Sequence, residues 1–434
     1  MNVFGITDRR HFLVHAAGAA AVTVPGLSFI ANLRANAAEM KKKNKSLIVL
    51  WMGGGPSTID LWDMKPDHPN GGSHKPKPTA VSGISISEHL PQLGRQFKNL
   101  SIIRSLTTKE GDHTRGTRLM NTGRSPSPLV QYPSIGSVLA YQYGQDAEAM
   151  KAMDLPQFIS VNGPQIGPGF LGMKYASFGV QNPGQPPENV SPPSGVSPSR
   201  MARRKVMFDA LEGGFKTNVS ADAVQAHKDV YKKAMDLVVS TRKEVFALDM
   251  EPTPLKEEYG NTGFGRGCLL ARKLVEAGVA CVEVNMGGWD NHQQIFPALE
   301  RRLPELDKGM AALTRDLADR GKLKDTVIVW MGEFGRTPKV NQNGGRDHFP
   351  RAWSVVLGGG NIKGGMAYGS TTPDGQEPKD KPAKIEDFYS TIYAGLGLDP
   401  NSQIRDSLGR PTAIAGEKVN PIKDLLTVMP KPKV

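Results

Sequence analysis

Short, continuous apolar runs alternate along the chain with longer stretches in which apolar residues recur every three or four positions. Ser46 to Trp51 reads SLIVLW, Val279 to Met286 reads VACVEVNM, and Thr326 to Met331 reads TVIVWM. Leu100 to Ile103, Phe158 to Val161 and Trp353 to Leu357 are shorter runs of the same kind. Runs of this length, bounded by glycine and polar turn residues, suit strands covered on both faces. Helical periodicity marks Phe264 to Ala277, where Gly278 supplies the stop, then Leu306 to Asp319 and Ile385 to Leu396. Strands alternating with amphipathic helices predict an α/β fold, with a mostly parallel central sheet flanked by helices on both faces. Residues 163–199 are rich in Gly, Pro and Ser and lack periodicity, while 200–248 are helical and charged. The expected organisation is therefore a single α/β domain over 39–434, with an insertion or helical cap at about 163–250. No internal repeat is present.

Residues 1–38 read as an address. Asp8-Arg9-Arg10-His11-Phe12-Leu13 precedes a weakly apolar stretch from Ala16 to Ile30, and Ala35-Asn36-Ala37 offers a small-x-small cleavage site. Charged, apolar and small-residue regions in that order form a secretory signal. The arginine pair points to the twin-arginine export machinery as a partner. A protein beginning near Ala38, periplasmic or extracellular, is expected. No later apolar run is long enough to span a bilayer, so no transmembrane span is expected in the mature chain.

Composition adds two constraints. With 54 Lys and Arg against 42 Asp and Glu, the 434-residue chain carries a formal charge of +12. A basic balance favours anionic partners. No nucleic-acid motif accompanies it, and the basic spots at Lys41 to Lys45 and Arg200 to Lys205 are not interleaved with aromatics, so nucleic acid is not an expected partner. The two cysteines, Cys268 and Cys281, make no disulfide framework and have no metal-ligand spacing.

Chemistry-bearing residues gather just beyond the predicted strands, where ligands bind in parallel sheets. The first loop runs Gly53-Gly54-Gly55-Pro56-Ser57-Thr58-Ile59-Asp60-Leu61-Trp62-Asp63. Its glycines permit close backbone approach, and its N–H groups with Ser57 suit an anion. The second holds Asp112, His113, Thr114 and Arg115, followed by Thr122-Gly123-Arg124. The third is Gly287-Gly288-Trp289-Asp290-Asn291-His292; the fourth runs from Gly332-Glu333-Phe334-Gly335-Arg336 to Gly344-Gly345-Arg346-Asp347-His348. Imidazole and carboxylate together suit zinc or manganese, with iron, calcium or magnesium as further candidates. Asp290, His292, Asp347 and His348 are the expected metal ligands, joined by His113 and supported by Asp60 and Glu333. Ser57, Arg115 and Arg336 are candidates for gripping an anionic substrate.

The stretches GGGPSTIDLWDMKP, DHT…MNTGR, GGWDNH, MGEFGRTP and GGRDHFP, in this order, resemble domain-of-unknown-function family 1501. That family is a twin-arginine-exported branch of the alkaline phosphatase and sulfatase superfamily. The resemblance runs from about Leu47 to Leu396. It implies an alkaline phosphatase-like fold and metal-dependent hydrolysis of sulfate or phosphate esters. In a sulfatase the nucleophile precedes a Thr-Gly-Arg by several residues. Here that position falls near His113, with Thr114 and Thr117 the nearest hydroxyls. The resemblance thus implies catalytic roles for Thr114, His113 and Arg124, and an anionic small molecule or glycan as substrate. The same residues suit two further functions: a metal-containing binding protein for anionic glycans or cell-envelope material in which catalysis has been lost, and a structural envelope protein that uses the fold as a scaffold.

Overall fold

The computed structural model describes residues 45–145, 155–163, 166–185, 187, 195–213, 221–240, 242–406 and 408–430. The expected leader, 1–38, lies outside them. The strands that matter here, in chain order, are β1 (Ser46–Met52), β2 (Pro76–Pro78), β3 (Ser85–Ser87), β4 (Leu100–Thr107), β5 (Phe158–Val161), β6 (Phe178–Val180), β7 (Cys281–Met286), β8 (Thr326–Met331), β9 (Gly335–Arg336), β10 (His348–Phe349), β11 (Trp353–Gly359) and β12 (Ala367–Tyr368). The helices are α1 (Thr58–Leu61), α2 (Pro91–Arg95), α3 (His113–Thr122), α4 (Ile135–Tyr143), α5 (Pro198–Gly213), α6 (Ala221–Val239), α7 (Thr253–Tyr259), α8 (Gly263–Glu276), α9 (Ile295–Asp319) and α10 (Ile385–Gly395).

β1 lies centrally because all seven of its residues are buried. It pairs in parallel with β7 on one side and β8 on the other. The nine-stranded sheet runs β12-β4-β11-β8-β1-β7-β5-β6, and the short strand Ala383–Lys384 adds beside β4. Side chains alternate across it. Ile48, Leu50 and Met52 point into a core shared with α8 and α9; Leu47, Val49 and Trp51 point into one shared with α4 and α10. Each fully buried aliphatic side chain contributes about 1.5–3 kcal/mol, so two cores built on one strand specify its register strongly. The result is the α/β architecture expected, with helices on both faces.

One strand runs against the rest. β11 is antiparallel to both β8 and β4. An apolar run carries no direction, so the sequence did not distinguish this. The consequence is local to the site. The carboxyl ends of β1, β4, β7 and β8 share one edge, and β11 starts from that edge, so the loop leading into it lies there too.

α9 is longer than its predicted portion and runs through Pro304. In the stretch read as an insertion, Phe246, Leu248 and Leu237 join the core beside α8. α6 is tied down where Lys233 Nζ donates to the Met173 and Ala176 carbonyls, at 3.0 and 2.8 Å. Among the described residues no helix is long and apolar enough to cross a membrane.

Candidate metal centre

Four segments meet at the shared edge. The loop after β1 approaches the loop after β7 so closely that a Cβ at Gly54 would lie 2.5 Å from the Asp290 backbone nitrogen; Gly54 also has φ +116°. Only glycine is tolerated there. The GGWDNH and GGRDHFP loops are stitched together by Arg346 N–H donating to the Asn291 carbonyl at 3.1 Å and Ile295 N–H to the Gly344 carbonyl at 2.9 Å. α3 begins at His113, capped by Asp112, whose carboxylate accepts from the Arg115 backbone N–H. Gly116 lets α3 settle against Phe334 and Glu333: a Cβ there would meet both at 3.1–3.2 Å. The buried Phe334 ring lies 5.0 Å from the His113 ring and 4.5 Å from that of His348, forming a floor beneath both.

The three histidines are held in the same way. His113 Nδ1 lies 2.7 Å from Glu333 Oε1, His292 Nδ1 lies 2.8 Å from Asp347 Oδ1, and His348 Nδ1 lies 2.7 Å from the Gly111 carbonyl. Each of these partners can only accept. Each imidazole therefore donates from Nδ1, leaving an Nε2 lone pair when neutral. All three Nε2 atoms turn toward Asp290. His113 Nε2 is 3.3 Å from Asp290 Oδ2; His292 and His348 Nε2 are 3.0 and 3.2 Å from Asp290 Oδ1, and 3.1 Å from each other. The ligand atoms of His113, Asp290 and His348 all lie within 4.8 Å of one another. His113 Nε2 is buried with no hydrogen-bond partner among the described residues. The four side chains remain 24–47% exposed, so the cluster opens to solvent.

The remaining expected residues are placed differently, and the reason is pairing. Asp60 was expected to support the metal. It is instead fully buried and gripped in a two-pronged ion pair by Arg346, at 2.7 and 2.8 Å, with Ser57 Oγ donating at 2.6 Å. That bond uses the Ser57 hydroxyl proton. Arg336, expected at the substrate, is wholly buried and its donors are used: Nε to the Gly55 carbonyl at 2.7 Å, Nη1 to the Arg346 carbonyl at 3.0 Å and toward His292 Nε2 at 3.3 Å, and Nη2 to the Gly54 carbonyl and Asp290. It braces the centre. Arg115 is exposed and pairs with Glu110 at 2.7 Å. Thr114 is exposed on the first turn of α3. Arg124, at the far end of that helix, donates to Thr412 Oγ1 and the Ala413 carbonyl and lies over the Tyr132 ring. With Arg118, Thr122 and Tyr132 it lines a separate cleft of 260 Å³. Glu333 and Asp347 touch the histidines through Nδ1, on the side away from Asp290.

Arg346 and Asn341 were not singled out from the sequence. Asn341 Nδ2 donates to Asp347 Oδ1 at 3.2 Å and to the His292 carbonyl at 3.1 Å, fixing that pair from behind. Nothing local marks either residue. Charges follow the geometry. Partial burial pushes the Asp290 carboxyl up, but hydrogen bonding and charge from Arg336, with His348 and His113, overrule it and hold it far below the carboxylate range. The hydrogen bond from His292, with that from Asn341, holds Asp347 down as well.

Fold and site together define an α/β protein with a histidine-rich cluster that could hold a metal ion at the carboxyl edge of a mostly parallel sheet. The chain belongs to the family described as "Protein of unknown function (DUF1501)", whose model matches residues 44–426. No curated protein matches it. Similar solved structures include a sulfatase from Pseudoalteromonas sp. (13% identity, 85% of this chain and 70% of that one, TM-score 0.37), the lipoteichoic acid synthase from Listeria monocytogenes (10%, 88% and 81%, 0.36) and a protein of the alkaline phosphatase superfamily from Vibrio parahaemolyticus (12%, 86% and 69%, 0.34). At these scores the likeness extends to no residue and no activity.

Proposed function

We propose that this protein is an exported, metal-dependent hydrolase of phosphate or sulfate esters, with His113, Asp290, His292 and His348 as the protein ligands. The observation that carries the metal is the convergence of three Nε2 lone pairs on one carboxylate while each Nδ1 is held by an acceptor. The Nε2 atoms of His292 and His348, 3.1 Å apart, repel unless a proton or a metal ion lies between them. The donor set fits a metal ion. Tetrahedral zinc with bonds of 2.0–2.1 Å sets its ligands about 3.4 Å apart; four contacts in the cluster are 3.0–3.3 Å, and His113, Asp290 and His348 place their ligand atoms within 4.8 Å of one another. Three nitrogens and one carboxylate favour zinc, manganese or iron over calcium or magnesium. When bound, the ion supplies Lewis acidity toward an ester oxygen and acidifies water.

The chain's own residues do the rest. Glu333 and Asp347 fix the tautomer and direction of two imidazoles, in the manner of carboxylate–histidine–metal triads. Arg336 holds Asp290 ionised. The excess positive charge attracts an anionic substrate. With Ser57 bonded to Asp60, the nucleophile is water or the exposed Thr114 hydroxyl.

Protein purified without chelators should contain a transition metal and turn over aryl phosphate or aryl sulfate. His292→Ala should lose the metal of this centre together with turnover. Metal-free wild-type protein rules this reading out. A second reading, a metal-containing binding protein for anionic glycans, is favoured by the pairing of Ser57, Arg124 and Arg336. Metal with glycan binding and no ester turnover would select it. Export belongs to the same proposal: replacing Arg9 and Arg10 by Lys should trap the precursor in the cytoplasm, and unchanged export would exclude the twin-arginine route.

A further inference from the structure

A second group of ligand-type side chains lies outside this centre. β2 and β3 form an antiparallel hairpin in which Pro76 faces Ser87. The pairing continues one step outward, where Glu88 N–H donates to the Lys75 carbonyl at 2.9 Å and Lys75 N–H donates to Glu88 Oε1 at 2.8 Å. His74 and His89 are the next opposed positions. Their rings lie 4.5 Å apart, inclined at 65°. Helix α9 closes the third side. Phe296 packs edge-on against the His74 ring at 5.3 Å. Glu300, four residues on and so on the same helix face, brings Oε1 to 3.8 Å from His74 Nε2. One ligand atom each from His74, His89 and Glu300 falls within 4.8 Å of the other two.

A separate observation points to a ligand. His74 is only 3% exposed, yet neither of its ring nitrogens has a hydrogen-bond partner among the described residues. A buried imidazole with two unsatisfied nitrogens is costly to keep unless something binds it. In its neutral form the ring offers one lone pair to a metal ion.

We propose that His74, His89 and Glu300 form a second metal site, selective for a zinc-class divalent ion, which clamps the β2–β3 hairpin to the first turns of α9. Two imidazoles and one carboxylate are a recurrent three-ligand zinc set with a fourth position open to water. His74 Nε2 and Glu300 Oε1, 3.8 Å apart, need to close by only a few tenths of an ångström to reach the ~3.4 Å spacing of tetrahedral ligands, and the other pairs lie within 4.8 Å. The clamp acts beside the loop carrying Asp290 and His292, because α9 begins directly after that loop. The site shares no residue with the first centre, so it stands or falls independently of the proposed hydrolase.

The test is zinc stoichiometry of the full chain after equilibrium dialysis against micromolar zinc, measured by elemental analysis. Four proteins are compared: wild type, Glu300→Gln, His89→Ala, and the double variant His113→Ala/His348→Ala. Glu300 is half-exposed and glutamine keeps its shape, so that variant tests the site even if His89→Ala fails to fold. One zinc equivalent should vanish in Glu300→Gln and in His89→Ala, and that same equivalent should persist in the double variant. Wild-type stoichiometry in Glu300→Gln overturns the proposal. So does a double variant that binds no zinc at all, since the only ion would then belong to the first centre. Loss of zinc from the double variant alone would support the first centre while overturning the second, which keeps the two proposals apart.

Discussion

Glu283 sits in the middle of β7 with its carboxyl buried, bonded to Asn285 Nδ2 at 3.1 Å. Burial pushes its pKa up to about 7 from the ordinary 4.5, against the smaller opposing effect of the Asn285 bond. Below pH 4.5 the folded and unfolded chains both hold the proton. Between there and pH 7 the unfolded chain has released it while the folded one keeps it, so stability falls as pH rises, and it levels off above. The fall attributable to this group is roughly 3 kcal/mol at 1.36 kcal/mol per unit. Glu283→Gln should remove it: the stability difference between variant and wild type in urea titrations should grow from pH 4.5 to 7 in favour of the variant. A difference independent of pH would show that Glu283 is ionised throughout. The Asp60–Arg346 pair is the other buried charge that matters. Both side chains are fully buried. Arg346→Ala leaves Asp60 as an uncompensated buried charge, so a loss of about 3–5 kcal/mol is expected from the same titration.

Elements are joined here by side chains reaching between them. The short helix α2 has no cap of its own, since its N-cap residue is Leu90. Asp307, in the middle of α9, supplies the acceptor, with Leu93 and Gln92 backbone N–H groups donating to its carboxylate at 2.7 and 3.1 Å. Asp307→Ala should cost about 1–3 kcal/mol through two orphaned donors, visible as a lowered Tm. Asp307→Asn keeps one acceptor and should recover part of it. The β1 loop depends on glycine in a comparable way. Gly54 donates its backbone N–H to Glu333 Oε1 at 2.8 Å while standing against the Asp290 backbone. Gly54→Ala should push the Asp290 loop outward and weaken metal retention at least tenfold in dialysis, with the far-UV spectrum unchanged.

For the whole molecule, ligand binding and folding are linked. An ion held at the proposed centre by residues following β4, β7 and β8 would stabilise the folded state by RT ln(1 + [L]/Kd), about 2.7 kcal/mol at a hundredfold excess over Kd. Dialysis against a chelator should therefore lower Tm, and zinc or manganese should restore it. In His113→Ala/His348→Ala the first centre's share of that restoration should be lost. An unchanged Tm after verified metal removal would show that neither cluster contributes to folding.

Much of this molecule is legible in one dimension because its strands are buried on both faces. Continuous apolar runs mark such strands wherever they occur, and SLIVLW, VACVEVNM and TVIVWM needed no partner to be recognised. The polar loops were legible for the related reason that buried strands leave most of the chemistry at their ends. Direction and pairing were not. An apolar run reads alike in both directions, so β11's reversal emerges only from its neighbours. The sequence also shows which residues have ligand chemistry, without showing which atoms are free. Asp60 has the chemistry of a ligand, but Arg346, 286 residues away, takes both of its oxygens. Glu333 and Asp347 look equivalent to Asp290 until the sheet places them on the Nδ1 side of two histidines. His74 and His89 show nothing in sequence, fifteen residues apart without a motif. A hairpin register and the turn of α9 bring them together, because contact between side chains is set by backbone pairing over distances that local pattern does not encode.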